Sequence, residues 1–231
     1  MNTSVPTVVL VHGAWHGGWC WERFTPHIER RGLPFRTVEL PSVGAKPGQK
    51  VDLSADAAAV RAVLDGISGP ALLCGHSYGG MVISLAASGQ SNVERLFYIC
   101  AFMPDSGESL LSIGGGKNAP WIDSLEGGLT LPDLTQTAEV FYGDCDPATQ
   151  DWATRKLRPQ SGTAFGERVA RPAWQDIPST YIVCTNDRAL PAKMQREVFA
   201  PHATNVVELE AGHSPFVSQP AQLAALITAR Y

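Results

Sequence analysis

The sequence predicts an α/β protein: a mostly parallel, doubly wound sheet interrupted once by an inserted segment. Three observations carry this. Apolar, β-branched runs of strand length alternate with segments of helical period up to about residue 106, and the same rhythm resumes from about residue 175. Between them, residues 107–174 hold Gly114-Gly115-Gly116, Gly127-Gly128, several prolines and scattered aromatics, with no clean strand–helix unit. That stretch is too long for a plain loop. It reads as a cap of short helices and irregular pieces set into a core made of residues 1–106 and 175–231.

Thr7 to His12 is a continuous β-branched run, the pattern of a strand buried on both faces. A helix follows with Trp21, Phe24 and Ile28 on one face and Gly32 at its end. Phe35 to Leu40 is the next strand, and Pro41 to Gly48 a turn-rich loop. From Val51 to Ile67 the apolar residues Leu53, Ala57, Val60, Leu64 and Ile67 keep helical spacing, with Asp52 or Ser54 as the cap. Ala71 to Cys74 is a strand, Met81 to Ala87 a buried helix closed by Gly89, and Arg95 to Cys100 a further strand. Past the cap come a strand at Thr180 to Cys184, a helix from about Pro191 to Phe199, a strand at Asn205 to Leu209, and a terminal helix opened by Pro220.

Composition excludes several classes of function. With 231 residues, 44% hydrophobic and 17% charged, the chain can bury a sizeable core. A net charge of −4 without like-charge blocks argues against a nucleic-acid surface or a basic membrane stripe. Apolar runs are strand-sized, too short to span a bilayer, and the N-terminal stretch lacks the basic region of a signal peptide. The five cysteines are widely spaced, and Cys74, Cys100 and Cys184 fall in expected strands as small apolar residues. A reduced, cytoplasmic protein is the expectation.

The chemistry centres on Gly75-His76-Ser77-Tyr78-Gly79, between a strand and a helix. A serine there sits on a sharp, strained turn, and the flanking glycines let strand and helix approach. Alone, the pentapeptide suits a glycine-flanked turn as well as it suits a nucleophile. A serine hydroxyl needs a base, and the base a partner that fixes its tautomer. Asp187 follows one strand and His213 the next, in the order acid then histidine. Either alone would suit a structural loop residue; together with Ser77 they make a catalytic triad. The oxyanion then needs two amides, assigned to Tyr78 and Ala14. His12 and His16 flank a glycine-bearing loop rather than sharing a helix face, and Lys117 lacks the spacing of a phosphate loop, so neither a metal nor a nucleotide cofactor is implied.

His12-Gly13-Ala14-Trp15-His16-Gly17-Gly18-Trp19, Gly75 to Gly80, Ala101-Phe102-Met103-Pro104-Asp105, and the settings of Asp187 and His213 resemble the α/β-hydrolase superfamily. More narrowly they resemble its branch of plant methylesterases, salicylate methyl-ester hydrolases and hydroxynitrile lyases. The resemblance implies a cofactor-free carboxylic-ester hydrolase acting on a small-molecule ester, with dimers common among relatives. The lyases of that branch carry threonine after the first motif histidine and lysine after the catalytic one; Gly13 and Ser214 stand there in this sequence and favour the esterase. Apolar candidates for the pocket are Trp15, Phe102, Trp121, Phe141 and Phe216. Lactone, thioester or C–C bond hydrolysis, or a non-catalytic receptor, would use the same scaffold.

Overall fold

The computed structural model describes residues 5–229. Met1 to Ser4, part of the stretch that argues against a signal peptide, lie outside the described residues. In chain order the strands are β1 (Thr7–Val11), β2 (Phe35–Val38), β3 (Ala71–His76), β4 (Val93–Ile99), β5 (Ile122–Leu125), β6 (Leu129–Pro132), β7 (Gln160–Ser161), β8 (Ser179–Cys184) and β9 (Asn205–Leu209). Six of them form one parallel sheet in the order β2-β1-β3-β4-β8-β9. All of β3 and β8 is buried, as central strands covered on both faces must be. The edge strands β2 and β9 keep exposed positions, and Val206 of β9 is 48% exposed.

The helices are α1 (Thr25–Glu29), α2 (Leu53–Asp65), α3 (Gly79–Ala86), α4 (Leu110–Ile113), α5 (Leu134–Tyr142), α6 (Pro147–Thr154), α7 (Thr163–Gly166), α8 (Ala192–Met194), α9 (Pro215–Ser218) and α10 (Pro220–Ile227). Asp52 caps α2, its carboxylate accepting from the Ala55 amide at 2.9 Å. Leu53, Ala57, Val60 and Leu64 are the buried face of that helix. Among the described residues no helix is long and apolar enough to cross a membrane.

Three local features differ from the sequence expectation. The helix expected around Trp21, Phe24 and Ile28 is a 3-10 turn over Gly18–Trp21 followed by α1; the three side chains still share one fully buried cluster. Pro26, which has no amide proton, sits in the first turn of α1 rather than inside a longer helix. Cys100 lies just past β4, with φ +36°, rather than in the strand. The segment between β4 and β8 also holds an antiparallel sheet, β5-β6-β7, where only helices and irregular pieces were expected. Past α8 the chain widens into a π-helical turn over Gln195–Phe199.

Candidate active site

Ser77 is the hinge between β3 and α3. Its φ is +51°, a left-handed conformation that side chains avoid, and such strain persists only where the surroundings enforce it. They do so here. The Ser77 carbonyl accepts from the amides of Gly80 at 3.0 Å and Phe102 at 3.1 Å. A Cβ on Gly75 would lie 2.6 Å from the Gly79 carbonyl oxygen, and one on Gly79 2.8 Å from those of Val11 and His12. The spacing of glycines around the serine is therefore a packing requirement.

Register places the second loop beside the first. Val11 pairs with Gly75, so the chain leaving β1 runs past Ser77 through Gly13 and Ala14. Two buried histidines hold that loop. His12 donates from Nδ1 to the Gly13 carbonyl at 2.8 Å and accepts the Leu40 amide on Nε2 at 3.2 Å. His16 donates from Nδ1 to the Ala14 carbonyl and accepts the Tyr142 hydroxyl on Nε2, both at 2.7 Å. Among the described residues, neither the Ala14 amide nor the Tyr78 amide has a protein acceptor. Both residues face the same cavity as Ser77.

Asp187 and His213 follow β8 and β9. The Asp187 carboxylate accepts four donors: the Ala189 and Leu190 amides on Oδ1 at 2.8 Å each, and Gln195 Nε2 (3.0 Å) and His213 Nδ1 (2.8 Å) on Oδ2. Gln195, in the π-helical turn, also accepts the Cys184 amide at 3.0 Å. The backbone of His213 is held from the other side, its carbonyl accepting from His76 Nε2 at 2.8 Å and from the Cys100 thiol at 3.3 Å. His76, Cys100 and His213 are the one trio of metal-type side chains among the described residues, within 4.8 Å of one another. Two of the three use a donor on that carbonyl.

Ser77, His213, Ala14 and Tyr78 open onto a cavity of about 110 Å³. Trp15, Phe102, Trp121 and Phe141 line it, joined by Phe165. Trp15 is the hub, stacked on Phe141 at 6.0 Å and meeting Trp121 and Phe165 edge-on at 5.9 and 5.8 Å. Lys117 and Asn118 also border the cavity. Phe216 does not belong to it. Its ring is fully buried behind the site, 4.7 Å from Trp21 and 4.8 Å from His76, because α9 turns it into the core. Phe216→Ala is accordingly expected to cost about 3–5 kcal/mol of stability in urea unfolding, whereas the half-buried Trp121→Ala acts mainly on KM.

Burial also sets the charge state of the surrounding histidines. Desolvation lowers His12 to about 4 and His16 to about 3, and takes His76 well below the ordinary 6.5. All three stay neutral in the fold, while an unfolded chain protonates them below about 6.5. Stability is therefore complete above that value and falls as the pH drops toward 4, by up to about 1.4 kcal/mol per pH unit for each histidine. Buried Asp56, its carboxyl raised by desolvation, acts with the opposite sign but is one group against three. Urea midpoints at pH 7, 6 and 5 are expected to fall progressively; a flat series would contradict the buried neutral histidines.

The parallel sheet with its flanking helices is shared with known proteins. A model described as the alpha/beta hydrolase family matches residues 8–226, and the chain belongs to that family. It is 30% identical to a carbendazim hydrolyzing esterase of Nocardioides sp. (strain SG-4G), over 96% of this chain and 98% of that protein. It is 28% identical to salicylic acid-binding protein 2 of Nicotiana tabacum, over 94% of each, and it is also similar to methylesterases of Arabidopsis thaliana. The crystal structure of a pyrethroid hydrolase from Sphingobium faniae JZ-2 superposes with a TM-score of 0.80 at 27% identity, covering 99% of this chain and 100% of that one.

Proposed function

We propose that this chain hydrolyses carboxylic esters of small to medium apolar or aromatic substrates through Ser77, His213 and Asp187 and an acyl-enzyme. One observation carries the reading: His213 is bound through Nδ1 to a carboxylate and borders the cavity that also holds Ser77 and two amides without protein acceptors. Relatives named as esterases and hydrolases, at near full-length coverage, support the reaction class. Ser77 Oγ attacks the ester carbonyl while His213 Nε2 takes its proton. The oxyanion rests on the Tyr78 and Ala14 amides, and the leaving alcohol departs with the proton from His213. Water then repeats the sequence on the acyl-enzyme and releases the acid. The first turn of α3 adds the positive end of the helix dipole at the oxyanion.

Size and lining support the substrate class. The cavity, about 110 Å³, is of the order of the ~150 Å³ void that seats benzene, so it admits one ring-sized apolar group beside the Trp15–Phe141 stack. A lyase reaction is disfavoured at Gly13. A Cβ there would lie 2.7 Å from His76 Nδ1 and 3.0 Å from the Ser77 Cβ, so the threonine of the lyases does not fit this loop. The test is hydrolysis of p-nitrophenyl acetate, butyrate, benzoate and decanoate, with intact mass after a fluorophosphonate. Turnover of the short and aromatic esters and a single adduct are expected. Cyanide release from a cyanohydrin, or saturable ligand binding without turnover or labelling, would overturn the reading.

A further inference from the structure

A chain of buried side chains joins the two loops that carry the oxyanion amides, and it passes through the segment inserted between β4 and β8. The Trp15 amide, next to Ala14, donates to Gln160 Oε1 at 3.0 Å. Gln160 Nε2 donates to Ser42 Oγ at 2.9 Å, and Ser42 Oγ donates to Asp56 Oδ2 at 2.5 Å. The same Oδ2 accepts the Tyr78 hydroxyl at 2.7 Å, while Oδ1 takes the Ser42 amide at 2.9 Å. Asp56, Ser42, Gln160 and Tyr78 are each fully buried. Every link has one proton and one acceptor, so the chain has a single direction: from the Trp15 amide and from the Tyr78 hydroxyl inward to one carboxylate. Such a network, fully satisfied in a low dielectric, fixes geometry more firmly than its separate bonds.

Gln160 is the only member supplied by the inserted segment, from β7. Thr130 of the neighbouring β6 adds a second hold on the same loop, accepting the Trp15 indole N–H at 3.1 Å. From this we infer that Gln160 is a positioning residue for the oxyanion site: it sets the Ala14–Trp15 loop against Tyr78 and makes that site depend on docking of the inserted segment. The inference rests on the ester-hydrolase reading. Its energetic reason is that amides stabilise an oxyanion only when they are preorganised at its position.

The test compares Gln160→Met, which keeps side-chain length without polar atoms, with Tyr78→Phe, which keeps the Tyr78 amide, and with their double variant. With p-nitrophenyl butyrate, each single change is expected to lower kcat about 10- to 100-fold, below the loss of a whole donor, with KM within about threefold. The Ki of a trifluoromethyl ketone, whose adduct with Ser77 carries the oxyanion, should rise in step with the fall in kcat/KM. Hydrogen exchange over residues 12–17 and 76–80 should quicken. The double variant should lose no more than about threefold beyond the worse single one, since both cut one chain. A folded Gln160→Met with kcat within twofold of wild type, or losses that multiply in the double, would overturn the inference. Should Gln160→Met fail to fold, Ser42→Ala applies the same criteria with the Trp15 amide still satisfied. A wild type that neither hydrolyses the ester nor takes the fluorophosphonate ends the hydrolase reading itself; an active wild type with an unimpaired network variant ends only this inference.

Discussion

Ser77→Ala is expected to lower kcat on p-nitrophenyl esters by on the order of 10⁶-fold and to abolish the fluorophosphonate adduct, leaving what the amides and cavity alone provide. The fold should survive. Ser77 is half-buried and its hydroxyl fills no core space, so the methyl of alanine sits where the serine Cβ sat. The strain at φ +51° remains, since alanine is no freer there than serine. Ser77→Gly separates the two effects: it is equally inactive but relieves a left-handed conformation that costs about 1–3 kcal/mol in a residue with a Cβ. Urea unfolding should therefore rank Ser77→Gly above both wild type and Ser77→Ala. If the glycine variant were no more stable than the alanine one, the turn would not be storing strain for the nucleophile. If Ser77→Ala kept more than about a hundredth of the wild-type rate, another nucleophile would have to be sought.

What the sequence disclosed about this site follows from how local each constraint is. Gly75 and Gly79 are legible because strand, serine and helix are consecutive; the close approach at Gly75, to the Gly79 carbonyl, acts within five residues, whereas that at Gly79, to the Val11 and His12 carbonyls, is long-range. Asp187 and His213 are legible through order alone, each just past a strand whose β-branched run is itself plain. Gln160, Ser42 and Asp56 carry no such mark. Gln160 meets Ser42 across 118 positions and Trp15 across 145, and nothing in a glutamine flanked by Pro159 and Ser161 announces a partner that far away. Strands β5 and β6 are four residues each and β7 only two, too short to display an alternating period, so the small antiparallel sheet is invisible until it is folded. Phe216 shows the converse difficulty. An aromatic residue three positions past His213 gives the same apolar signal whether its helix turns it to the cavity or to Trp21, and only packing decides.

Asp187→Asn should reduce kcat by about 10⁴-fold with the cavity unchanged, because it alters which nitrogen of His213 carries the proton. The carboxylate takes four donors on two oxygens, and asparagine has only one oxygen to offer them. If that oxygen stays on the Ala189 and Leu190 amides, the new NH₂ faces both the Gln195 amide and the His213 N–H, donor against donor. The contact becomes favourable on the His213 side only when the imidazole moves its proton to Nε2 and accepts through Nδ1. That tautomer presents an N–H to Ser77 and cannot take the hydroxyl proton, so acylation stops at its first step. The opposite rotamer keeps the correct tautomer but leaves the buried Leu190 amide and the half-buried Ala189 amide without an acceptor, at a cost of up to about 1–3 kcal/mol each. Nitrogen-15 shifts of His213 distinguish the two, and the first should accompany an unchanged affinity for a non-hydrolysable amide analogue of the substrate. A loss of less than about tenfold would mean that the Asp187 carboxylate does not set the His213 tautomer, and that its four donors serve only to hold the loops after β8 and β9 together.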